Sequence, residues 1–253
     1  MGLRIYLTGR VAVELDGTAL VREQQLRGKQ GRLAFAYLVC ERSRPVSREE
    51  LAAVLWPGEM PPAWDTALSA LLSRFRRLLS SEPLKELGVA LSRGFGQYQV
   101  HLPVDTWVDL EAAASAIDEA EGALRAGYPG RILGPATVAA TIAGRPFLSG
   151  VEGEWVESQR RKLERQLLRA LDCLSSMWLD NKEPALAVET ATRAIALDLY
   201  RESSYQLLIR AYAACGNRAD GIRAYQRLRG LLAGELGTDP SAETEALYLE
   251  LLG

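Results

Sequence analysis

The most regular apolar pattern in the chain lies between residues 61 and 80. Apolar side chains recur there every three or four positions, as they do on one face of an α-helix. These apolar positions are Trp64, Leu68, Leu71, Leu72, Phe75, Leu78 and Leu79. The other faces carry short or polar side chains and, towards the end, arginines. The spacing therefore predicts an amphipathic helix over residues 62–80 whose polar side stays exposed.

Weaker patterns precede this helix. Apolar and polar side chains alternate over residues 3–15, and the Asp16-Gly17 pair that follows is a common hairpin turn, so we expect short antiparallel strands. Residues 28–42 are apolar on nearly all sides, which predicts a helix in the centre of a small core.

A second helix and a hairpin complete the first part of the chain. The helix is predicted over residues 47–56, with Ser47 as its N-cap and Glu50 completing a capping box. After the amphipathic helix, residues 89–102 alternate around glycines, which predicts two strands joined by a tight turn. A helix followed by a hairpin is the layout of a winged-helix DNA reader, here within a mixed α/β module that ends near residue 103.

The pattern changes to nearly all helix from residue 105 onward. Helices are predicted over residues 108–125 and 154–179, whereas residues 127–150, rich in glycine, contain no helix that the pattern can place. Six positions in the last hundred residues recur 34 residues later. The pairs are Leu171 and Tyr205, Leu174 and Leu208, Trp178 and Tyr212, Ala187 and Gly221, Ala191 and Tyr225, and Ala194 and Leu228. This period indicates paired helices of tetratricopeptide type, with an ordinary antiparallel helix pair as the alternative.

The polar side of the amphipathic helix supplies candidate contacts to DNA. Short side chains let a helix backbone approach an anionic partner, and guanidinium groups bind phosphates or guanine edges. The candidates are Asp65, Thr66, Ser69, Ala70, Ser73, Arg74, Arg76 and Arg77 on the helix, with Arg93 and Gln97 on the hairpin. Arg74 is the candidate for a base edge, and Arg76 and Arg77 are candidates for phosphates. A solvated helix end and a plain surface turn are the alternatives.

Length and charge are consistent with two domains of which one approaches nucleic acid. The 253 residues suffice for two domains. Residues 1–102 carry 14 Lys and Arg against 10 Asp and Glu, whereas residues 103–253 carry 16 against 22. This asymmetry favours nucleic-acid binding by the first half alone, although differences of this size also occur by chance between domains.

Composition argues against catalysis and against a membrane. His101 is the single histidine, no C-x-x-C pair occurs and no P-loop is present, so we expect no enzyme activity, no metal and no cofactor. Cys40, Cys173 and Cys215 lie in apolar helical patterns and are expected to be buried free thiols. No apolar run approaches the roughly 20 residues that span a bilayer, and no signal-peptide pattern opens the chain, so we expect a cytoplasmic protein without a membrane partner.

Several segments together carry a family resemblance. They are residues 26–32, 45–51, 55–56, 73–79 and 93–98 in the first half, and residues 144–150 and 224–241 in the second. The first group resembles the OmpR-type winged helix of the antibiotic regulatory protein (SARP) transcription factors. The second group resembles the bacterial transcriptional activation domain that follows the winged helix in that family.

The resemblance implies a two-domain transcriptional regulator. It implies a winged helix over residues 1–103, followed by an all-α, tetratricopeptide-like activation domain over residues 104–253. Such factors bind double-stranded DNA sequence-specifically, commonly as a pair on direct repeats, and recruit RNA polymerase. In this chain the helical domain is expected to contact the polymerase or its sigma subunit. The resemblance places the helix 62–80 in the major groove and the hairpin 89–102 against the neighbouring minor groove or backbone.

One departure from the family pattern keeps other functions open. Family members often carry Gln and His where this chain has Ser69 and Leu71, so base readout rests on fewer groups. A protein–protein adaptor that has lost DNA binding is the first alternative. A small-molecule sensor, suggested by the loose segment 127–150, is the second.

Overall fold

A computed structural model describes residues 2–253. It contains two compact units, and neither is a continuous piece of chain. The first unit joins the residues up to Ala112 with Arg145–Leu163, and the second joins Ala113–Gly144 with Glu164–Gly253. The division therefore differs from the boundary that the sequence predicts at residue 103.

The later segment belongs to the first unit because it completes that unit's packing. Thr8 and Phe147 form an isolated antiparallel β-bridge, and the amide of Gly9 donates to the carbonyl of Pro146 at 2.8 Å. The Trp155 ring then packs edge-on against Tyr37 with 5.0 Å between ring centroids. These contacts join residues more than a hundred positions apart, which no local pattern reveals.

Seven short strands form two sheets in the described part of the first unit. They are β1 (Leu3–Tyr6), β2 (Ala12–Leu15), β3 (Thr18–Val21), β4 (Val46–Ser47), β5 (Ala90–Gly94), β6 (Gln97–His101) and β7 (Trp107–Val108). One sheet has the order β3-β2-β1-β7, with β1 antiparallel to β2 and parallel to β7. The other has the order β4-β6-β5 and contains the predicted hairpin. Both predicted strand regions are therefore confirmed.

Among its described residues, three helices lie wholly within the first unit: α1 (Gly28–Cys40), α2 (Arg48–Leu55) and α3 (Trp64–Leu79). A short 3₁₀ turn, Glu23–Leu26, leads into α1. A β-carbon at Gly31 would lie 1.5 Å from the carbonyl oxygen of Leu26, so only glycine fits this approach. The ring of Phe35 on α1 meets Phe75 on α3 edge-on at 6.2 Å, which places both helices on one core.

The start of α2 confirms half of the predicted capping box. The Ser47 hydroxyl accepts a hydrogen bond of 3.0 Å from the amide of Glu50, as an N-cap does. The Glu50 carboxylate instead accepts hydrogen bonds from the Tyr37 hydroxyl at 2.6 Å and from Arg44. The other half of the predicted box, a hydrogen bond from the Ser47 amide to the Glu50 carboxylate, is therefore wrong, because two donors outside the helix bind that carboxylate.

The second unit is helical. Its helices begin with the greater part of α4 (Asp109–Arg125) and continue with α5 (Leu133–Ala143), the part of α6 (Glu154–Asp180) from Glu164 onward, α7 (Pro184–Leu197), α8 (Glu202–Ala214), α9 (Arg218–Leu231) and α10 (Ala242–Leu252). Successive helices from α7 to α10 pack against one another around a core that includes Tyr205, Tyr225 and Leu228. The fold is thus a small α/β part followed by a tetratricopeptide-like helical part, as the sequence predicts.

Two expectations need correction. The segment 127–150, which the sequence pattern leaves without a placed helix, contains α5. Its buried face is mostly alanine, and the helix is apolar overall, so it has little amphipathic period. Cys173 is buried and Cys40 is half-buried, but Cys215 is exposed, because it follows the end of α8. Among residues 2–253 no helix is both long enough and apolar enough to cross a membrane.

Candidate nucleic-acid interface

The outer face of α3 is free of other residues of its unit. One row of the helix, Leu68, Leu72, Phe75 and Leu79, is buried. A second row, offset from the first by two residues, consists of Thr66, Ala70, Ser73 and Arg77, and all four are exposed. Two residues correspond to about 200° of rotation, so the exposed row lies opposite the buried one. We call this exposed row the outer row.

The outer row is shaped for a close approach to another surface. Its first three side chains are small, so the helix backbone itself is accessible there. Arg77 adds a long cationic side chain at the C-terminal end, where α3 also carries Arg76. Both arginines are exposed, and neither forms an ion pair with any residue in the described range 2–253.

Arg74 has a different environment from its two arginine neighbours. Its side chain is half-buried, and Nε donates a hydrogen bond of 2.8 Å to the carbonyl oxygen of Gln25. That carbonyl belongs to the 3₁₀ turn before α1. Arg74 therefore ties one flank of α3 to the neighbouring turn, whereas Arg77 points away from the unit.

Arg48, the first residue of α2, holds the N-terminal part of α3. Its Nη2 donates to the main-chain oxygen of Asp65 at 3.0 Å and to the Ser69 hydroxyl at 2.9 Å. The guanidinium also pairs with the Asp65 carboxylate. Only 14% of the Arg48 side chain is exposed, whereas 65% of the Asp65 side chain is, so the ion pair lies at the surface with its cation mostly covered.

These bonds change what Asp65 and Ser69 offer to a ligand. Both residues are exposed on α3, as predicted, but their polar atoms are already engaged by Arg48. The ion pair offsets the negative charge of Asp65, which would otherwise repel phosphates. Both side chains therefore serve to position α3, and the outer row beside them remains unoccupied.

The predicted hairpin carries the other two candidates. Strands β5 and β6 pair in a register that sets Arg93 opposite Tyr98 and Gly94 opposite Gln97. Arg93 and Gln97 are exposed, whereas Tyr98 is buried with 3% of its surface accessible. The Arg93 guanidinium carbon lies 6.0 Å from the centre of the Tyr98 ring.

Tyr98 joins the hairpin to the helices. Its hydroxyl accepts a hydrogen bond of 2.9 Å from Nη1 of Arg48, the same guanidinium that holds Asp65 and Ser69. One arginine thus connects α2, α3 and β6. Sequence reasoning missed Arg48 because its partners lie 17, 21 and 50 residues away, and no local pattern marks it.

Other kinds of site have less support in the described part of the chain. No group of three or more His, Cys, Asp or Glu side chains is arranged there to hold a metal ion. A cleft of about 560 Å³ lies in the first unit between the end of α2 and the start of α6, lined by Val54, Pro57 and Trp155 among others. Its polar side chains are Glu154 and Ser158, and they form no titratable cluster.

Comparison with known proteins gives a consistent result. The family model for the bacterial transcriptional activator domain matches residues 108–252. The chain is 30% identical over 250 residues to the regulatory protein AfsR of Streptomyces coelicolor, and the match covers 99% of this chain but 24% of AfsR. It is 24% identical over 245 residues to the transcriptional regulatory protein MoaR1 of Mycobacterium tuberculosis, covering 96% of this chain and 77% of MoaR1. The chain thus spans about a quarter of the length of AfsR.

A solved structure shows the same fold. Mycobacterium tuberculosis EmbR, in complex with a low-affinity phosphopeptide, superposes with a TM-score of 0.85 at 23% sequence identity. The match covers 99% of this chain and 65% of the EmbR chain. At this identity the likeness concerns the fold alone, and it includes both the α/β part and the helical part described above.

Proposed function

Because the chain belongs to the antibiotic regulatory protein family of transcriptional regulators that carry a bacterial transcriptional activator domain, we propose that its first unit binds duplex DNA by sequence. The observation that carries this proposal is the outer row of α3. It is exposed, its first three side chains are small, and it ends with Arg77, which forms no ion pair among the described residues. An α-helix with such a face fits the major groove, where base edges are distinguishable.

The environments of the arginines suggest a division of roles within the groove. Arg77 extends from the outer row, so we assign it to a base edge. Arg76 is exposed to one side and suits a phosphate. Arg74, the residue that the sequence favours for base readout, is tethered through Nε to Gln25, so we assign it chiefly to holding α3 in place. Thr66, Ala70 and Ser73 then allow the close approach.

The hairpin supplies a second contact. Arg93 and Gln97 are exposed on neighbouring strands beside the turn, and the Tyr98–Arg48 hydrogen bond links their strand pair to α3. Because one guanidinium bonds both elements, their separation is fixed before DNA arrives. We therefore propose that α3 and the hairpin contact the duplex together, with the hairpin on the minor groove or backbone next to the site of α3.

The helical unit is proposed to act on the transcription machinery. The relatives are named regulatory proteins, and the match to the activator-domain model covers this region. The net negative charge of residues 103–253 suits a protein partner better than it suits DNA. We propose that this unit contacts RNA polymerase, with the sigma subunit as the first candidate, and that two copies bind direct repeats.

The proposal is tested by selecting duplexes from a random-sequence library and measuring their affinity against salt concentration. Ala70→Glu places a negative charge in the centre of the outer row and is expected to abolish the selected binding. Ala213→Glu is the matched control, because it makes the same change at an exposed alanine on α8. An adaptor that has lost DNA binding would show no salt-dependent binding of any duplex, and that result would refute the proposal.

A further inference from the structure

Two hairpins in the first unit share one turn geometry but differ in the first of their two turn residues. Between β2 and β3 the two turn residues, Asp16 and Gly17, have φ angles of 47° and 84°. Between β5 and β6 the turn residues Phe95 and Gly96 have φ angles of 49° and 76°. Positive φ at both central positions is the type I′ arrangement, which favours Asn, Asp or Gly at the first of them.

The first turn follows this preference and the second does not. Asp16 suits the left-handed region, and its carboxylate accepts a hydrogen bond of 2.9 Å from the amide of Gly2. Phe95 is a bulky residue in the same backbone region, where its β-carbon is crowded. Of the two turns, therefore, only the second has at its first central position a residue that the type I′ geometry disfavours.

No packing of the Phe95 side chain among the described residues offsets the backbone strain at this position. The relative exposure of this residue is 108%, so its ring packs against no other residue in the range 2–253. A residue whose backbone is strained and whose side chain is fully exposed does not stabilise the hairpin. Such departures from local rules occur where a contact outside the chain requires them.

We propose that the Phe95 ring inserts into the minor groove of the duplex that α3 binds; this inference rests on the proposed function. Apolar side chains that enter the minor groove act as wedges, which partly unstack a base step and bend the DNA. Phe95 is at the tip of the hairpin, flanked by the exposed side chains of Arg93 and Gln97. The adjacent cation suits a DNA surface better than an apolar protein pocket, and the Arg48–Tyr98 hydrogen bond fixes the hairpin relative to α3.

Two substitutions separate the role of the ring from the strain of the turn. Phe95→Asn installs a residue that the turn prefers and removes the ring. Phe95→Tyr keeps an aromatic ring and keeps the strain. The probe is the duplex selected by the wild-type protein from random-sequence DNA, labelled with 2-aminopurine at successive steps beside the site protected by α3. The readouts are the Kd, the 2-aminopurine fluorescence and the thermal midpoint of the free protein.

Loss of the ring is expected to weaken DNA binding without lowering the thermal stability of the free protein. Phe95→Asn should leave the thermal midpoint unchanged or raise it, and should raise the Kd about tenfold, as expected for loss of an aromatic contact with a base. The fluorescence increase that reports unstacking should disappear in Phe95→Asn and remain in Phe95→Tyr. Because the ring carries no charge, the salt dependence of binding should be the same in all three proteins.

Several outcomes would overturn the inference. If the wild type binds duplex DNA and Phe95→Asn binds equally well, the proposed function stands and the role of Phe95 is refuted. If Phe95→Asn retains DNA binding but loses transcription activation, the ring contacts a protein instead. A lower thermal midpoint in Phe95→Asn would show that the ring stabilises the hairpin. Failure of the wild type to bind any duplex would refute the proposed function itself, and this inference with it.

Discussion

The Arg48 guanidinium donates a hydrogen bond of 2.9 Å to the hydroxyl of Tyr98, a residue 50 positions away. Tyr98 belongs to the hairpin, and the same guanidinium holds Asp65 and Ser69 on α3. The two surfaces that we propose to meet DNA are thus connected through one largely buried cation. This relationship leads to the first prediction.

Tyr98→Phe removes the hydroxyl that Arg48 bonds and leaves the buried ring in place. Hydrogen bonds to charged groups contribute about 1.5–3 kcal/mol, so we expect the free energy of unfolding to fall by about 1–2 kcal/mol. DNA affinity should also fall, because α3 and the hairpin lose their fixed separation. Chemical denaturation and a binding titration measure the two effects. Tyr6→Phe is the control: its ring is half-buried and its hydroxyl has no hydrogen bond among the described residues. An equal loss of stability in both variants would contradict the role of Arg48.

Arg77→Ala and Arg74→Ala test the division of roles on α3. A bidentate arginine–guanine contact is worth about 1–3 kcal/mol of discrimination, so Arg77→Ala should lower the preference for selected over random duplex about tenfold or more. Arg74→Ala should instead lower the thermal midpoint, because the tether to the Gln25 carbonyl is lost. Competition titrations and thermal melts distinguish the two. If Arg74→Ala erases the sequence preference and Arg77→Ala leaves it intact, the roles are the reverse.

Arg76→Ala tests for a phosphate contact. Each phosphate contact contributes about 0.9 to the slope of log affinity against log salt, so this variant should reduce the slope by about that amount. Sequence preference should be unchanged, because phosphates carry no sequence information. Arg165→Ala, an exposed arginine of α6 in the second unit, is the matched control and should leave the slope unaltered. A slope that does not change in Arg76→Ala would remove this residue from the interface.

The Glu50 carboxylate predicts a specific dependence of stability on pH. Hydrogen bonds from Arg44 and, secondarily, from Tyr37 hold the pKa of Glu50 at about 2, below its ordinary value of 4.5, despite partial burial. A carboxyl group whose pKa is lower in the folded state contributes stability above its ordinary pKa and loses it as the pH falls towards 2. The stability difference between wild type and Glu50→Gln should therefore be large at pH 6 and shrink between about pH 4.5 and pH 2.

Urea denaturation at several pH values measures this difference, with Glu49→Gln as the control. Glu49 is the exposed neighbour of Glu50 and pairs with no cation in the described residues. Its substitution should change stability little at any pH. If the difference between wild type and Glu50→Gln stays constant from pH 6 to pH 2.5, Glu50 is not ionised in its contact with Arg44 and Tyr37.

The three cysteines should react in a defined order. Cys215 is exposed, whereas burial raises the pKa of Cys40 to about 12 and that of Cys173 to about 11. Because the thiolate is the reactive form, native protein at pH 8 should react rapidly with a thiol reagent at Cys215 alone. Denatured protein should react at all three, and mass spectrometry identifies the labelled residue. Rapid labelling of Cys173 in the folded protein would contradict its burial.

The sequence predicts local structure well wherever a repeating pattern is strong. The apolar row of α3, the Ser47 cap and the glycine-containing turn of the hairpin each depend on residues a few positions apart, and all three are confirmed. Alanine-rich α5 is not predicted, because alanine is small enough to suit either face of a helix and so leaves little apolar period. The 34-residue recurrence is visible because equivalent helices bury apolar, aromatic or small side chains at equivalent positions, such as Ala187 and Gly221.

What the sequence by itself determined is which side of α3 is exposed, where the hairpin turns and that a helical repeat follows, together with the family to which these features belong. Only the tertiary structure decided that Arg48 joins α3 to the hairpin, that Arg74 is tethered while Arg77 is not, that Phe95 is bare at a strained turn and that Arg145–Leu163 belongs to the first unit. The reason is the range of the interactions. Helical periods, caps and turns act within a few residues, whereas the contacts of Arg48, Arg74 and Phe147 depend on how distant segments pack.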